Sequence, residues 1–343
     1  MKYSLNNNVR IIQRGSIITF RKGLWDYNEA SIDINELNED VALKLCKLVT
    51  DLWNGQDIDD EEYEELKEVI DGLYYGEFLL NADEKHIRED ILKILLGNMS
   101  YQARRVENPK KVLLVTDSNY IEKIAIDMSK EIGLELDILD KDMIFNIMHA
   151  NLTQKLDALS RMDTIKKYGD FFKDYSAIAV CQYRLNILFL RNINEVCIEN
   201  GTQLIISALD GPFVHMTALK PPKTADFDSL EQRILARLED HTLYRDFTNI
   251  DVHTRCKENK AYIPILTLLL SMCISEAYLV SNIGSSKFEG RLLSIYIPTL
   301  EIQVQDILKI PTSNAMGNLA KTQYKDNQVE ARKIINQILK NRR

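Results

Sequence analysis

The residue types that could do chemistry are present in this chain, but their spacing matches no catalytic or metal-binding pattern. The stretch PPKTADFDSLEQR at 221–233 has the shape of a segment that carries a Cys-x-x-Cys pair into a helix, yet the two slots hold Asp226 and Ser229. The five cysteines, Cys46, Cys181, Cys197, Cys256 and Cys273, are scattered, with no Cys-x-x-Cys among them. An odd number in apolar contexts reads as reduced thiols of a cytoplasmic protein. The histidines, His86, His149, His215, His241 and His253, show neither His-x-x-x-His nor His-Glu-x-x-His spacing, and His215 in GPFVHMTAL reads as structural. The carboxylates Asp57, Asp59 and Asp60 stand where they favour a helix start. A nucleotide-binding loop needs glycines after its first strand, so that backbone amides can approach the phosphates. The corresponding stretch, VTDSNYIE at 115–122, has none, and Asp117 would repel a phosphate.

These residues must be positioned by two kinds of element. Near the start, the short β-branched runs at 9–14, 16–22 and 30–34 predict three strands of a small sheet. A helix follows over 35–53, with Val41, Leu45, Leu48, Val49 and Leu52 on its apolar face, and ends at Asn54-Gly55. A second helix, with Leu66, Val69, Ile70 and Leu73 inward, stops at Gly76. Strands then helices in this order make a small module of winged-helix type. After a helical connector the pattern changes. Continuous apolar strands at 111–117, 134–140, 175–182 and 202–211 alternate with helices at 120–133 and 190–201, which implies a parallel sheet covered by helices. The predicted fold is therefore α/β: a winged-helix-like module at 1–81, a connector at 82–107 and a Rossmann-like domain at 108–343. The apolar window 262–280 has the length of a membrane span, but Pro264 and Glu276 within it favour a buried core helix. No stretch near the start resembles a signal peptide, and no membrane association is expected.

Charge narrows the function classes. Residues 1–100 hold 11 Lys and Arg against 21 Asp and Glu, a balance of −10, while the whole chain stands at −8. A nucleic-acid binder needs a basic footprint, so a winged-helix DNA-binding regulator is disfavoured.

Several segments together resemble the ThiF-like relatives of ubiquitin-activating enzymes, in the branch that partners YcaO cyclodehydratases on ribosomally made precursor peptides. The stretch at 175–214 is similar to the family's strand, Asn-containing helix, Asn-Gly strand and Gly-Pro. PPKTADFDSLEQR resembles P-x-x-T-A-C-F-x-C-L-x-x-R, and QVQDILKIPTSNAMGN at 303–318 resembles H-x-V-L-x-x-P-x-C-P-x-C-G. The first module looks like the peptide-recognition element of these pathways. Family members hold a structural zinc with two Cys-x-x-Cys pairs. Here the positions are Asp226, Ser229, Ser313 and Met316, so all four thiolates are lost and no zinc or other cofactor is expected. Asp228 or Ser229 is left to cap a helix beginning near Leu230.

The resemblance implies a non-catalytic scaffold in the biosynthesis of a thiazole- or oxazole-type modified peptide. A leader peptide would add as a strand to the edge Ser31, Ile32, Asp33 and Ile34, with side chains in a groove completed by Leu66, Val69 and Tyr74. The other partners implied are a YcaO-type enzyme and a second copy in a homodimer. The alternative within the family is an ATP-dependent peptide-adenylating enzyme with an unusual nucleotide loop.

Overall fold

The computed structural model describes residues 1–25, 27–82, 87–150, 152–153, 158–249, 259–311, 313 and 315. Met316, Cys256, His86 and His253 lie outside the described residues. The chain divides into two compact units, Met1–Gln102 and Ala103–Arg343.

The first unit carries two small sheets around one core. β1 (Lys2–Leu5) precedes the three predicted strands, which are β2 (Val9–Arg14), β3 (Ile17–Lys22) and β4 (Asn28–Asp33). These three form an antiparallel sheet in that order, leaving β4 on an edge. α1 (Glu39–Trp53) follows, then β5 (Ile58–Asp59), a 3₁₀ turn over Asp60–Leu66, α2 (Lys67–Tyr75), β6 (Leu79–Asn81) and α3 (Ile87–Leu96). β1 pairs with both β5 and β6 to make the second sheet. Strands this short leave no periodicity to read, which is why the sequence shows only the first sheet. The acids Asp57, Asp59 and Asp60, expected at the start of the second helix, lead into a 3₁₀ turn, and α2 begins only at Lys67; Asp59 caps that turn, accepting from the Glu61 N–H at 3.3 Å. Ile18, Phe20, Leu45, Leu48, Leu66 and Ile70 fill the core. α3 belongs to this unit and is no free connector: the Asp90 carboxylate accepts from the Asn81 N–H at 2.8 Å, and Leu92 is fully buried.

The second unit is built on a seven-stranded sheet. Its parallel part uses β7 (Lys111–Thr116), β8 (Leu136–Ile138), β9 (Tyr175–Gln182) and β10 (Gln203–Asp210), in the spatial order β8-β7-β9-β10. The crossovers are α4 (Asn119–Glu131), then α5 (Lys141–Met148) and α6 (Ala158–Phe172), then α7 (Ile187–Asn200). The sheet is not parallel throughout. β11 (Phe213–Leu219) returns antiparallel to β10, and β12 (Arg291–Tyr296) and β13 (Glu301–Asp306) continue the antiparallel run. α8 (Phe227–Leu235), α9 (His241–Asn249) and α10 (Ile263–Ile283) separate β11 from β12.

The apolar window is α10. By length and composition Lys260–Ile283 could cross a membrane, but 56% of its most apolar window is buried in the protein. Leu266, Leu269, Leu270, Cys273 and Ala277 are buried on it, and it packs on β9, β10 and α4. Its one acid, Glu276, is satisfied by the Ser286 hydroxyl at 2.6 Å, the Lys287 N–H at 2.8 Å and the Lys287 ammonium at 3.2 Å. Pro264 is in the first turn, where no intrahelical donor is lost.

Candidate functional site

The β4 edge can be built residue by residue. The Ile34 N–H donates to the Ser16 carbonyl at 2.8 Å, which continues the register that pairs Ile18 with Ile32. Antiparallel strands alternate the direction of their backbone groups, so those of Ile32 and Ala30 are spent on β3. The free donors and acceptors of this edge belong to Glu29, Ser31 and Asp33. Of the four edge residues named from sequence, then, Ser31 and Asp33 can pair outward through the backbone. Ile32 contributes its side chain on the core face, and Ile34 already lies in the 3₁₀ turn that follows. The Asp33 carboxylate accepts from the Asn35 N–H at 3.0 Å and ends the strand.

The side chains expected to complete a groove divide into two groups. Ile32, Ile34 and Val69 are half-buried and pack on the outside of the core. Leu66 is 1% exposed and belongs to the interior. Tyr74 is held by its own neighbours: its ring lies 5.2 Å from that of Tyr3, and the Lys93 ammonium sits 3.3 Å from its centroid. Burial, with Asp90 alongside, raises its hydroxyl pKa.

A second candidate place is the mouth of the parallel sheet between β7 and β9, where the strand order reverses and α/β proteins bind ligands. Asp117 stands there. Its carboxylate accepts from the Tyr183 N–H at 2.7 Å and the Arg184 N–H at 2.9 Å. Two backbone amides that follow β9 are thus taken by a side-chain carboxylate. Ser118, the next residue, caps α4 by accepting from the Ile121 N–H at 3.2 Å.

The third place is the corner containing Asp226, Ser229 and Ser313, which the fold brings together. α8 starts at Phe227, earlier than expected, and its cap is Asp226. One Asp226 oxygen accepts from the Ser229 N–H at 2.9 Å and the other from the Ala315 N–H at 3.4 Å. The Ser229 hydroxyl accepts from the Ile310 N–H at 3.2 Å, and the Ser313 hydroxyl is buried without a partner among the described residues. The donor set does not fit a closed zinc site, which takes thiolate and imidazole ligands. Two of the three side chains are hydroxyls, and both oxygens of the carboxylate are already used. Among the described residues no cluster of three or more His, Cys, Asp or Glu is arranged to hold a metal. Asn194, which the sequence did not single out individually, completes the corner: its side-chain oxygen accepts from the Phe227 N–H at 3.0 Å. Beside it Asn192 bridges to the carbonyls of Ile147 and Met148 and to the Leu152 N–H. A polar residue on the buried face of a helix was the signal that could have found both.

No model of a known protein family matches the chain, and no curated protein matches it. Solved structures do. A heterocyclase in complex with substrate and cofactor is similar over 92% of this chain, at 11% identity and a TM-score of 0.55. The heterocyclase TruD aligns with 92% of the chain at 10% identity, a TM-score of 0.48 and 42% of its own length. MccB of E. coli with MccA-N7isoASN aligns with 92% at 12% identity, a TM-score of 0.43 and 100% of its own length. The chain spans about two fifths of the first heterocyclase, 39% of its length, and what the two share is a fold.

Proposed function

We propose that this chain is a recognition and scaffold component in the biosynthesis of a ribosomally made, post-translationally modified peptide. It captures the leader of the precursor by strand addition and presents it to a YcaO-type enzyme that installs thiazoles or oxazoles. The observation that carries this is the β4 edge, where the outward backbone groups of Glu29, Ser31 and Asp33 alternate with half-buried Ile32 and Ile34. Such an edge gives affinity through main-chain hydrogen bonds and specificity through alternate side chains. Two further facts support the reading. The chain shares its fold with part of a heterocyclase that has been solved with substrate and cofactor. The first unit is also acidic, which favours a leader with basic residues. A non-catalytic role is supported by the turn after β7, which has no glycine and places the Asp117 carboxylate at the mouth of the sheet.

The test is binding of fluorescent leader peptides, taken from any short precursor gene found beside the gene for this chain, to the full chain. Saturable binding is expected, and Ser31→Pro, which removes an outward donor, should weaken it at least about tenfold. ATP with magnesium should leave the melting temperature unchanged, since a true site would raise it by mass action. Absence of peptide binding, or a clear shift with ATP, overturns the reading.

A further inference from the structure

We propose that a cleft at the end of β1, within the first unit, binds a short extended peptide segment with an apolar central residue and basic neighbours. The site is separate from the β4 edge and stands whether or not a leader binds there. The cleft has a volume of about 370 Å³ and lies between β1 and the end of α1. Its lining includes Leu5, Asn6, Leu52, Trp53, Gly55 and Gln56.

Backbone parity aims a donor and an acceptor into this cleft. The Asp60 N–H donates to the Met1 carbonyl and the Asn6 N–H to the Phe78 carbonyl, both at 3.0 Å. By alternation, Met1, Tyr3 and Leu5 turn their backbone groups toward β5, while Lys2, Ser4 and Asn6 turn theirs toward β6. β5 is only two residues long, and its register sets Tyr3 against Ile58. Two steps further, that register would set Leu5 against Gln56. Gln56 is diverted, however: Gly55, at a φ of 73°, turns the chain off α1, and the Gln56 N–H donates to the Asp51 carbonyl at 2.9 Å. The Leu5 N–H and C=O therefore face the cleft without a partner among the described residues. Leu5 is half-buried, so a ligand that completes these bonds gains more than it would on open surface.

The partner that fits is one residue of an extended chain. Such a residue supplies a C=O for the Leu5 N–H and an N–H for the Leu5 C=O at the spacing of an antiparallel pair. Paired residues carry their side chains on one face. Tyr3 and Ile58 are such a pair, and both are buried in the core of this unit. Leu5 is on the same face, two residues along, so the side chain opposite it rests against Leu52 and Trp53. Leu52 is 1% exposed and Trp53 is 68% exposed, which gives that side chain an apolar floor and an open indole wall. An apolar residue suits this position. Its two neighbours alternate toward solvent, where the −10 balance of residues 1–100 favours lysine.

The chain has two tryptophans, so full-length protein carrying Trp25→Phe leaves Trp53 as the reporter of the cleft. The probe is the blocked tripeptide acetyl-Lys-Leu-Lys-amide. Saturable movement of the Trp53 emission to shorter wavelength is expected, with a millimolar dissociation constant. The same peptide methylated on the leucine nitrogen cannot donate to the Leu5 carbonyl, and it should bind about fivefold more weakly. Leu5→Pro removes an N–H that the fold leaves unused, so the sheet keeps its own hydrogen bonds, and binding of the unmethylated peptide should also weaken about fivefold. A Trp53 emission that does not respond overturns the proposal. So does a methylated peptide that binds as well as the parent, or a Leu5→Pro protein that binds as tightly as the unmodified one. If Leu5→Pro fails to fold, the methylated peptide alone decides.

Discussion

Asp226 and Asp117 each place both carboxylate oxygens on backbone N–H groups, and each tethers a segment distant in sequence. The difference between them is burial. Asp226 is fully buried, so truncating it strands the Ser229 and Ala315 amides away from water. Asp226→Ala should cost about 2–3 kcal/mol, a lost cap plus an unsatisfied buried donor. Asp226→Asn, which keeps one acceptor, should cost less, and urea unfolding measures both. His215 carries a pH-dependent prediction. Burial lowers its pKa below the ordinary 6.5, with Asp210 opposing, and its Nδ1 lies 2.9 Å from the Ser294 hydroxyl. The folded protein therefore holds the neutral ring more strongly than the unfolded chain does. Its stabilisation is present above pH 6.5 and is lost as pH falls through the lower folded value. Melting temperatures from pH 7.5 down to about 5.5 should fall less steeply in His215→Gln than in the unmodified protein.

At the scale of elements, the sequence is legible where burial is two-sided. The central strands β7, β9 and β10 are nearly continuous apolar runs because helices cover both faces. Strands β11 to β13 are not legible for the opposite reason. His215 and Thr217 interrupt β11, and glutamine alternates with isoleucine and valine along β13, an exposed pattern that resembles a loop. The β4 edge was legible as a strand, but not which of its residues face outward. That parity depends on the Ile34–Ser16 hydrogen bond, a tertiary fact. Helix ends were read more successfully. Gly76 does end α2, though not through a left-handed turn, since its φ is −75°. Its role is close approach: a β-carbon there would lie 2.7 Å from the ring of Phe78, which is buried. Gly76→Ala should thus destabilise the first unit by about 1–3 kcal/mol through overpacking. Moving Phe78 aside with a second change, Phe78→Leu, should recover part of that loss, as a double-mutant cycle would measure.

At the scale of the whole molecule, the division at Gln102 makes the first unit a candidate for independent folding. Its core closes on residues of its own, from Tyr3 to Leu79. The boundary expected from sequence, near residue 81, would cut through its support. Asp90 on α3 holds the end of β6, Leu92 is fully buried, and Lys93 caps the ring of Tyr74. A fragment of residues 1–102 should accordingly melt in one cooperative transition with native-like near-ultraviolet dichroism. A fragment of 1–81 should lose that cooperativity, because it leaves the Asn81 amide and the face of Tyr74 without their partners. The net charge adds a second expectation for the longer fragment. With −10 over its first hundred residues, self-repulsion opposes folding, and salt near 0.15 M screens it beyond about 8 Å. Its midpoint should rise from low to physiological ionic strength. If 1–81 melts as cooperatively as 1–102, α3 is not part of the folding unit and the division belongs near residue 81.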